Sequence, residues 1–317
     1  MRTLRQILPL TVAMAVLLVL FGLWVPDFLF LKPQNILDLV EQISINAILA
    51  FGMTLVILIG GIDLSVGALV ALVGTTTVYV LTRGPLGEPS LWWLAVAVLA
   101  GMGAAAGFGA FNGLCAAKTK MPPFIITLAM MLVARGAALS FNEGRPMPIP
   151  AQQTTFLALG SGRLFGAVPI PVVVMLVVFA VIAILLHRTR FGQHLYAIGG
   201  NREAARFTGI PIVRNEILVY LICSSLAGLA GMIHTSQLYS AEPASGMYFE
   251  LNAIAAAVVG GTSFTGGRGT MYGTLIGAVI IGILDKGLNQ AGVHFSLQYV
   301  VKGLVILTAV YIDVRRR

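Results

Sequence analysis

The chain has 317 residues, of which 58% are hydrophobic and 10% charged, with a formal net charge of +8 and a mean hydropathy of +0.93. Soluble domains carry about 25% charged residues, so this composition excludes a soluble core and fits a polytopic membrane protein. The positive balance does not make a nucleic-acid site, because the basic residues cap apolar spans and do not gather on one face.

One bilayer crossing takes ~20 apolar residues. The sequence therefore predicts an all-α integral membrane protein with about ten spans, some discontinuous, in a single membrane domain over 1–317. The first span is 7–25. Arg2 and Arg5 precede it as in a signal peptide, but no small-x-small cleavage site follows Val25, so an uncleaved span is expected.

Spans two and three, 43–60 and 64–82, are divided by Gly60-Gly61-Ile62-Asp63-Leu64-Ser65-Val66-Gly67. Glycines allow backbone conformations that a helix cannot hold. Non-helical backbone at membrane depth is tolerated only where protein or a watery cavity satisfies it. Asp63 and Ser65 have side-chain oxygens suited to capping the next helix. The stretch reads as a discontinuity near a cavity or a membrane mouth, or as a tight turn at the membrane face. Asn46 lies on the second span.

The fourth span, 91–116, carries Gly101, Gly103, Gly107, Gly109 and Gly113, spacing that lets helices approach closely. It also carries Asn112, and the fifth span, 124–141, carries Arg135. A charge at a span's centre costs about 2.5–3.5 kcal/mol on insertion scales. Asp63 and Arg135 thus call for a partner, a cavity or the interface, and pairing with each other is one solution. The stretch 142–168 is rich in Pro, Gly and polar residues and is expected to be irregular, as is 236–250. Both read as docking surfaces or plain connections.

The sixth span, 169–187, is followed by a polar, basic loop at 188–215. Within it, Asn201 is a good N-cap, Glu203 suits the first turn, and Gly209 with Pro211 makes a stop. The predicted helix has about two turns, too few to stand alone in water. Ala204, Ala205 and Thr208 give it a small face fit for a groove. Arg202 and Arg206 lie at i,i+4, where like charges repel mildly. Acidic groups on a partner, or lipid phosphates, are expected to relieve them.

The remaining spans are 216–235, 251–261, 271–288 and 296–313. Asn252 sits on the eighth. Beyond it, Gly260-Gly261-Thr262-Ser263-Phe264-Thr265-Gly266-Gly267-Arg268-Gly269 forms a second break. Short, Gly-interrupted segments in two halves of a chain point to a transport pathway. Asp285 and Lys286 near a span's end are expected to snorkel.

With the N-terminus inside, thirteen basic residues fall on that side: Arg2, Arg5, Lys118, Lys120, Arg188, Arg190, Arg202, Arg206, Arg214, Arg268, Arg315, Arg316 and Arg317. Four fall outside: Lys32, Arg83, Arg145 and Arg163. The bias places both termini and the 188–215 loop in the cytoplasm.

Cys115 and Cys223 are isolated in apolar segments, and the four histidines have no ligand spacing, so neither a metal nor a cofactor is expected. There is no phosphate-binding G-x-x-x-x-G-K-[ST] sequence. An energy source, if ATP, must be another protein, and the short cytoplasmic helix is what such a motor would push.

Glu203-Ala-Ala-x-x-x-Gly209 resembles the coupling motif of permease subunits of bacterial ATP-binding-cassette importers. GMTLVILIGGIDLSVGALVAL (52–72), FIITLAMMLVARGAAL (124–139), YAIGGNREAARFTGI (196–210), the run 250–289 and VVKGLVILTAVYID (300–313) resemble the ribose-type sugar permeases. The resemblance implies a multi-pass protein of the bacterial inner membrane, not itself an enzyme. It implies a second permease subunit, identical or related, a cytoplasmic ATPase, and a periplasmic or lipid-anchored sugar-binding protein. It assigns Asn201, Arg202, Glu203, Ala204, Ala205, Arg206 and Gly209 to ATPase coupling, with Ala204, Ala205 and Gly209 docking. Gly60, Gly61, Asp63, Ser65 and Arg135 are the residues expected along the path or gate, and Asn46, Asn112 and Asn252 are expected either to face it or to hydrogen-bond between helices. Arg145, Pro146, Pro148 and Pro150 fall where such permeases vary, so the sugar is left open. A secondary transporter would call for acidic relays, and only Asp63 and Asp285 are available; a membrane enzyme would call for a His/Asp/Glu cluster, which is absent.

Overall fold

The computed structural model describes residues 2–84, 90–119 and 121–315. Lys120, Arg316 and Arg317 of the orientation count lie outside the described residues, as do the side chains of Arg2 and Arg5. The helices run α1 (Arg2–Trp24), α2 (Pro33–Leu58), α3 (Val66–Leu81), α4 (Leu91–Lys118), α5 (Pro123–Ser140), α6 (Thr154–Ser161) and α7 (Ile170–Arg188). They continue as α8 (Arg190–Gly200), α9 (Arg202–Phe207), α10 (Ile212–Gln237), α11 (Phe249–Val259), α12 (Met271–Gln290) and α13 (Phe295–Arg315).

Among the described residues, seven helices are long and apolar enough to cross a membrane: α2, α5 with its following turn, α4, α7, α10, α12 and α13. Three shorter apolar helices accompany them: Leu8–Trp24, Val66–Leu81 and Phe249–Val259.

α2 is the axis of the bundle. Every residue from Ala47 to Leu58 is buried. α10 packs across α2, α3 and α4, and α12 packs on α2 and α11. The α4–α10 crossing is close because glycines face it. A Cβ on Gly109 would stand 2.7 Å from the Tyr220 carbonyl oxygen, and one on Gly113 2.7 Å from the Ile217 Cα. Gly103 and Gly107 face open space instead, so only part of the glycine run serves this contact.

Polar ties join the helices where the sequence suggested snorkelling. Lys286 donates to the Asn35 carbonyl at 2.9 Å. Lys302 pairs with Asp285 at 2.9 Å, linking α13 to α12. Asn35 and Gln290 exchange amide hydrogen bonds of 3.0 and 2.7 Å between α2 and α12.

The expectation that 142–168 and 236–250 are irregular is corrected. Four two-residue strands occur there: β1 (Met147–Pro148), β2 (Arg163–Leu164), β3 (Val168–Pro169) and β4 (Ser240–Ala241). β1 pairs antiparallel with β4, and β2 with β3. Met147, Ile149, Phe156 and Ala241 join a second hydrophobic core with Val73, Ala97 and Met232. The Ser236 hydroxyl accepts from the Gly160 amide at 2.8 Å and lies 2.8 Å from the Phe156 carbonyl, fastening α6 to α10. Apolar residues scattered among the prolines make this packing possible.

Candidate functional site: a glycine junction under two broken spans

Both Gly-Gly pairs turn out to be helix caps of one type. At the end of α2, the Gly60 amide bonds to the Ile57 carbonyl and the Gly61 amide to the Val56 carbonyl, each at 2.9 Å. Gly60 has φ +80°. This is the Schellman motif, in which a left-handed residue lets the last carbonyls find donors. α11 ends alike, with Gly261 bonding to Val258 at 2.8 Å and Thr262 to Ala257 at 2.9 Å. An apolar helix can thereby stop inside the protein with its carbonyls satisfied.

Past the first cap, Asp63 is fully buried. One of its oxygens accepts from the Ser65 amide at 2.9 Å and from the Ser65 hydroxyl at 2.5 Å. Asn112 donates to the Ser65 hydroxyl at 3.1 Å, and Thr127 donates to the Ile62 carbonyl at 3.1 Å. The α2–α3 turn is therefore tied to α4 and α5. It is Asp63, not Ser65, that receives the hydrogen bonds at the start of α3; the Ser65 hydroxyl makes no cap. Tyr220 of α10, not anticipated from sequence, joins this buried polar cluster, its hydroxyl beside Gly61.

Arg135 does not pair with Asp63. Its guanidinium donates to the Pro243 and Ser245 carbonyls at 2.8 and 2.7 Å. Those residues belong to the segment between α10 and α11, which reaches the first turn of α3, where Gly67 packs on Gly246 and Glu250. Asn46 and Asn252 are half-buried, and no side-chain hydrogen bond among the described residues joins either to Asp63. The structure thus brings together Gly60, Gly61, Asp63, Ser65 and Asn112, and leaves Arg135, Asn46 and Asn252 apart.

The 188–215 loop contains two helices where one is expected. α8 buries Gly192, Leu195 and Ile198. Its Tyr196 hydroxyl donates to the Gly269 carbonyl at 2.7 Å, and burial pushes that phenol up to about 12. Gly199 lies on the Leu58 carbonyl and the Gly267 amide, which bond to each other at 2.9 Å. The ends of α2 and α8 and the turn after α11 thus meet at Gly60, Gly199 and Gly266–Gly267, where backbones touch because no side chains intervene. The 188–215 segment is thereby locked to the end of α2 and to the turn after α11 at once.

α9 starts as the sequence predicts: the Asn201 side-chain oxygen accepts from the Ala204 amide at 2.9 Å. It ends in another Schellman motif, with Gly209 bonding to Arg206 and Ile210 to Ala205, each at 3.1 Å. Gly209 has φ +80°. Two expectations are corrected. Ala205 is buried against its own chain and is not on an exposed face of α9, while Phe207 is 90% exposed. Arg202 is held by a forked ion pair with buried Glu216 of α10, one arm at 2.9 Å. The hydrogen bonds that Arg202 donates to Glu216 push its guanidinium further up, so Arg202 is an internal strut, not a free charge.

The family described as the branched-chain amino acid transport system permease component matches residues 35–310. The chain belongs to this membrane permease family. It is 46% identical over 284 residues to the ribose import permease protein of Bacillus subtilis, covering 90% of this chain and 86% of that one. It is 42% identical over 308 residues to the ribose import permease protein of Escherichia coli, covering 96% and 93%. The D-allose transport system permease protein of Escherichia coli is 36% identical over 300 residues, covering 95% and 89%. No solved structure matches the chain. The chain is a transport subunit and not an enzyme.

Proposed function

We propose that the chain is the membrane subunit of an ATP-driven importer for a ribose-type monosaccharide in the bacterial inner membrane. The relatives named for ribose and allose import support the sugar class. One membrane domain, 1–317, crosses ten times with both termini in the cytoplasm. A second permease subunit completes the path, a cytoplasmic ATPase drives it, and an extracytoplasmic binding protein delivers the sugar. The cluster of Asp63, Ser65, Asn112 and Tyr220 borders the gate.

The observation that carries this reading is the mounting of α9. It is fastened inward by Ala205 and by Arg202–Glu216, and α8 joins it to both broken spans. Its outward face, Ala204 and Phe207, is left uncovered. A push on that face moves backbone that touches α2 and the turn after α11. In vesicles containing the chain, its ATPase and the binding protein, Phe207→Ala should lower sugar uptake about tenfold or more, as for an interface aromatic anchor. Insertion and thermal stability should not change, because Phe207 buries nothing within the chain. Full uptake by that variant would overturn the coupling assignment.

A further inference from the structure

A cleft of about 1000 Å³ opens beside α9, between the end of α4 and the start of α10. Its floor is apolar: Leu114 of α4, and Ile217 and Leu218 of α10. Its rim is cationic: Lys118, Arg206 and Arg214. Among the described residues, none of these three has a carboxylate within ion-pairing distance. Arg202 also lines the cleft but is neutralised by Glu216, and Glu203 is the one acid among its described lining residues.

We propose that this cleft binds one anionic phospholipid, with its phosphate on Lys118, Arg206 and Arg214 and its acyl chains along Leu114, Ile217 and Leu218. Three features select that occupant. α4 and α10 are membrane-length apolar helices, so a cleft at their ends lies at the boundary where headgroups sit. Its composition is amphipathic in the same order as a lipid, cations above and apolar side chains below. Arg214 stands in the first turn of α10, where the helix dipole disfavours a cation, and an anion between them removes that conflict.

A peptide of the ATPase is the weaker occupant because α9 divides its faces. Arg202, Glu203 and Arg206 line the cleft, whereas Ala204 and Phe207 do not. The face assigned above to the ATPase is therefore separate from the lipid site. The lipid site requires only that α4 and α10 cross the bilayer, and it stands if the sugar reading fails.

Native mass spectrometry of the purified full chain, titrated with phosphatidylglycerol or phosphatidylcholine in detergent, tests the site. One phosphatidylglycerol should be retained in preference to phosphatidylcholine. Each surface cation contributes about a fivefold preference for an anionic lipid, so Lys118→Gln and Arg214→Gln should each weaken retention about fivefold. Phe207→Ala should leave it unchanged. Equal retention of the two lipids, or no effect of the paired K118Q/R214Q change in a monodisperse protein, would overturn the site. So would displacement of the lipid by inorganic phosphate at equal concentration, since the acyl chains would then contribute nothing. Loss of ATPase association in K118Q/R214Q with lipid retention intact would assign the cleft to the ATPase instead. If the paired variant does not fold, Arg214→Gln alone, at an exposed position, gives the same readout.

Discussion

Asp63 gathers two donors on one oxygen while wholly buried, so it organises the start of α3 whatever else it does. Asp63→Ala would leave the Ser65 amide and hydroxyl without that acceptor, at a cost of about 1–3 kcal/mol. Asp63→Asn keeps an oxygen in place and should lose less stability, measured by thermal unfolding of the purified chain. If the carboxylate also borders the path, Asp63→Asn should lower uptake by more than it lowers folded yield. Equal losses would mark a purely structural residue. The Arg202–Glu216 pair makes a different, asymmetric forecast. The Glu216 side chain is 6% exposed and that of Arg202 50% exposed. Arg202→Ala strands a buried carboxylate and should cost up to about 3 kcal/mol, whereas Glu216→Gln leaves an arginine that reaches water and should cost less. Equal Tm shifts from the two variants would contradict the geometry.

The junction of α2, α8 and the turn after α11 rests on backbone contact, and Gly199 is its tightest point. A side chain there meets the Leu58 carbonyl, which cannot move without disturbing the cap of α2. Gly199→Val should therefore separate α8 from the broken spans. Hydrogen exchange should rise at Gly267, whose amide bonds to Leu58, while α4 and α10 stay protected. Unchanged exchange at Gly267 would mean the junction tolerates bulk. The sequence announced the parts of this arrangement but not their meeting. Apolar runs marked each membrane helix, and Asn201, Gly209 and Pro211 bounded α9, because capping is local chemistry. Both Gly-Gly pairs were legible as breaks for the same reason. Their convergence was not legible, since it joins residues about 60 to 200 positions apart through bare backbone. Burial of Ala205 and the bond from Arg202 to Glu216 were missed on similar grounds: which face of a short helix turns inward is set by what it packs against. In 142–168 and 236–250 the prolines and glycines mask the pattern, while Met147, Ile149 and Phe156 supply the apolar side chains that pack there.

Membrane topology follows from how the short helices are counted. α11 has 11 residues and rises about 17 Å, roughly half of a hydrocarbon core of about 30 Å. α3 has 16 residues and rises about 24 Å. Each completes a crossing only if the non-helical chain beside it shares the depth. For α11 that chain is the segment clamped by Arg135 at Pro243 and Ser245, and for α3 it is the turn tied by Asp63 and Asn112. Both are satisfied by protein, which is the condition for irregular backbone inside a bilayer. Ten crossings place positions 28, 165, 239 and 295 on one side and 207 on the other. All five are exposed residues, Phe28, Phe165, Tyr239, Phe295 and Phe207. After Cys115 and Cys223 are replaced by alanine, single cysteines at these positions can be probed with a membrane-impermeant maleimide. The first four should react in intact cells and Phe207→Cys only after permeabilisation. If position 295 reacts with 207, α11 does not cross. If 28 and 165 fall on opposite sides, α3 does not cross, and the turn around Asp63 lies at a surface and not along a path.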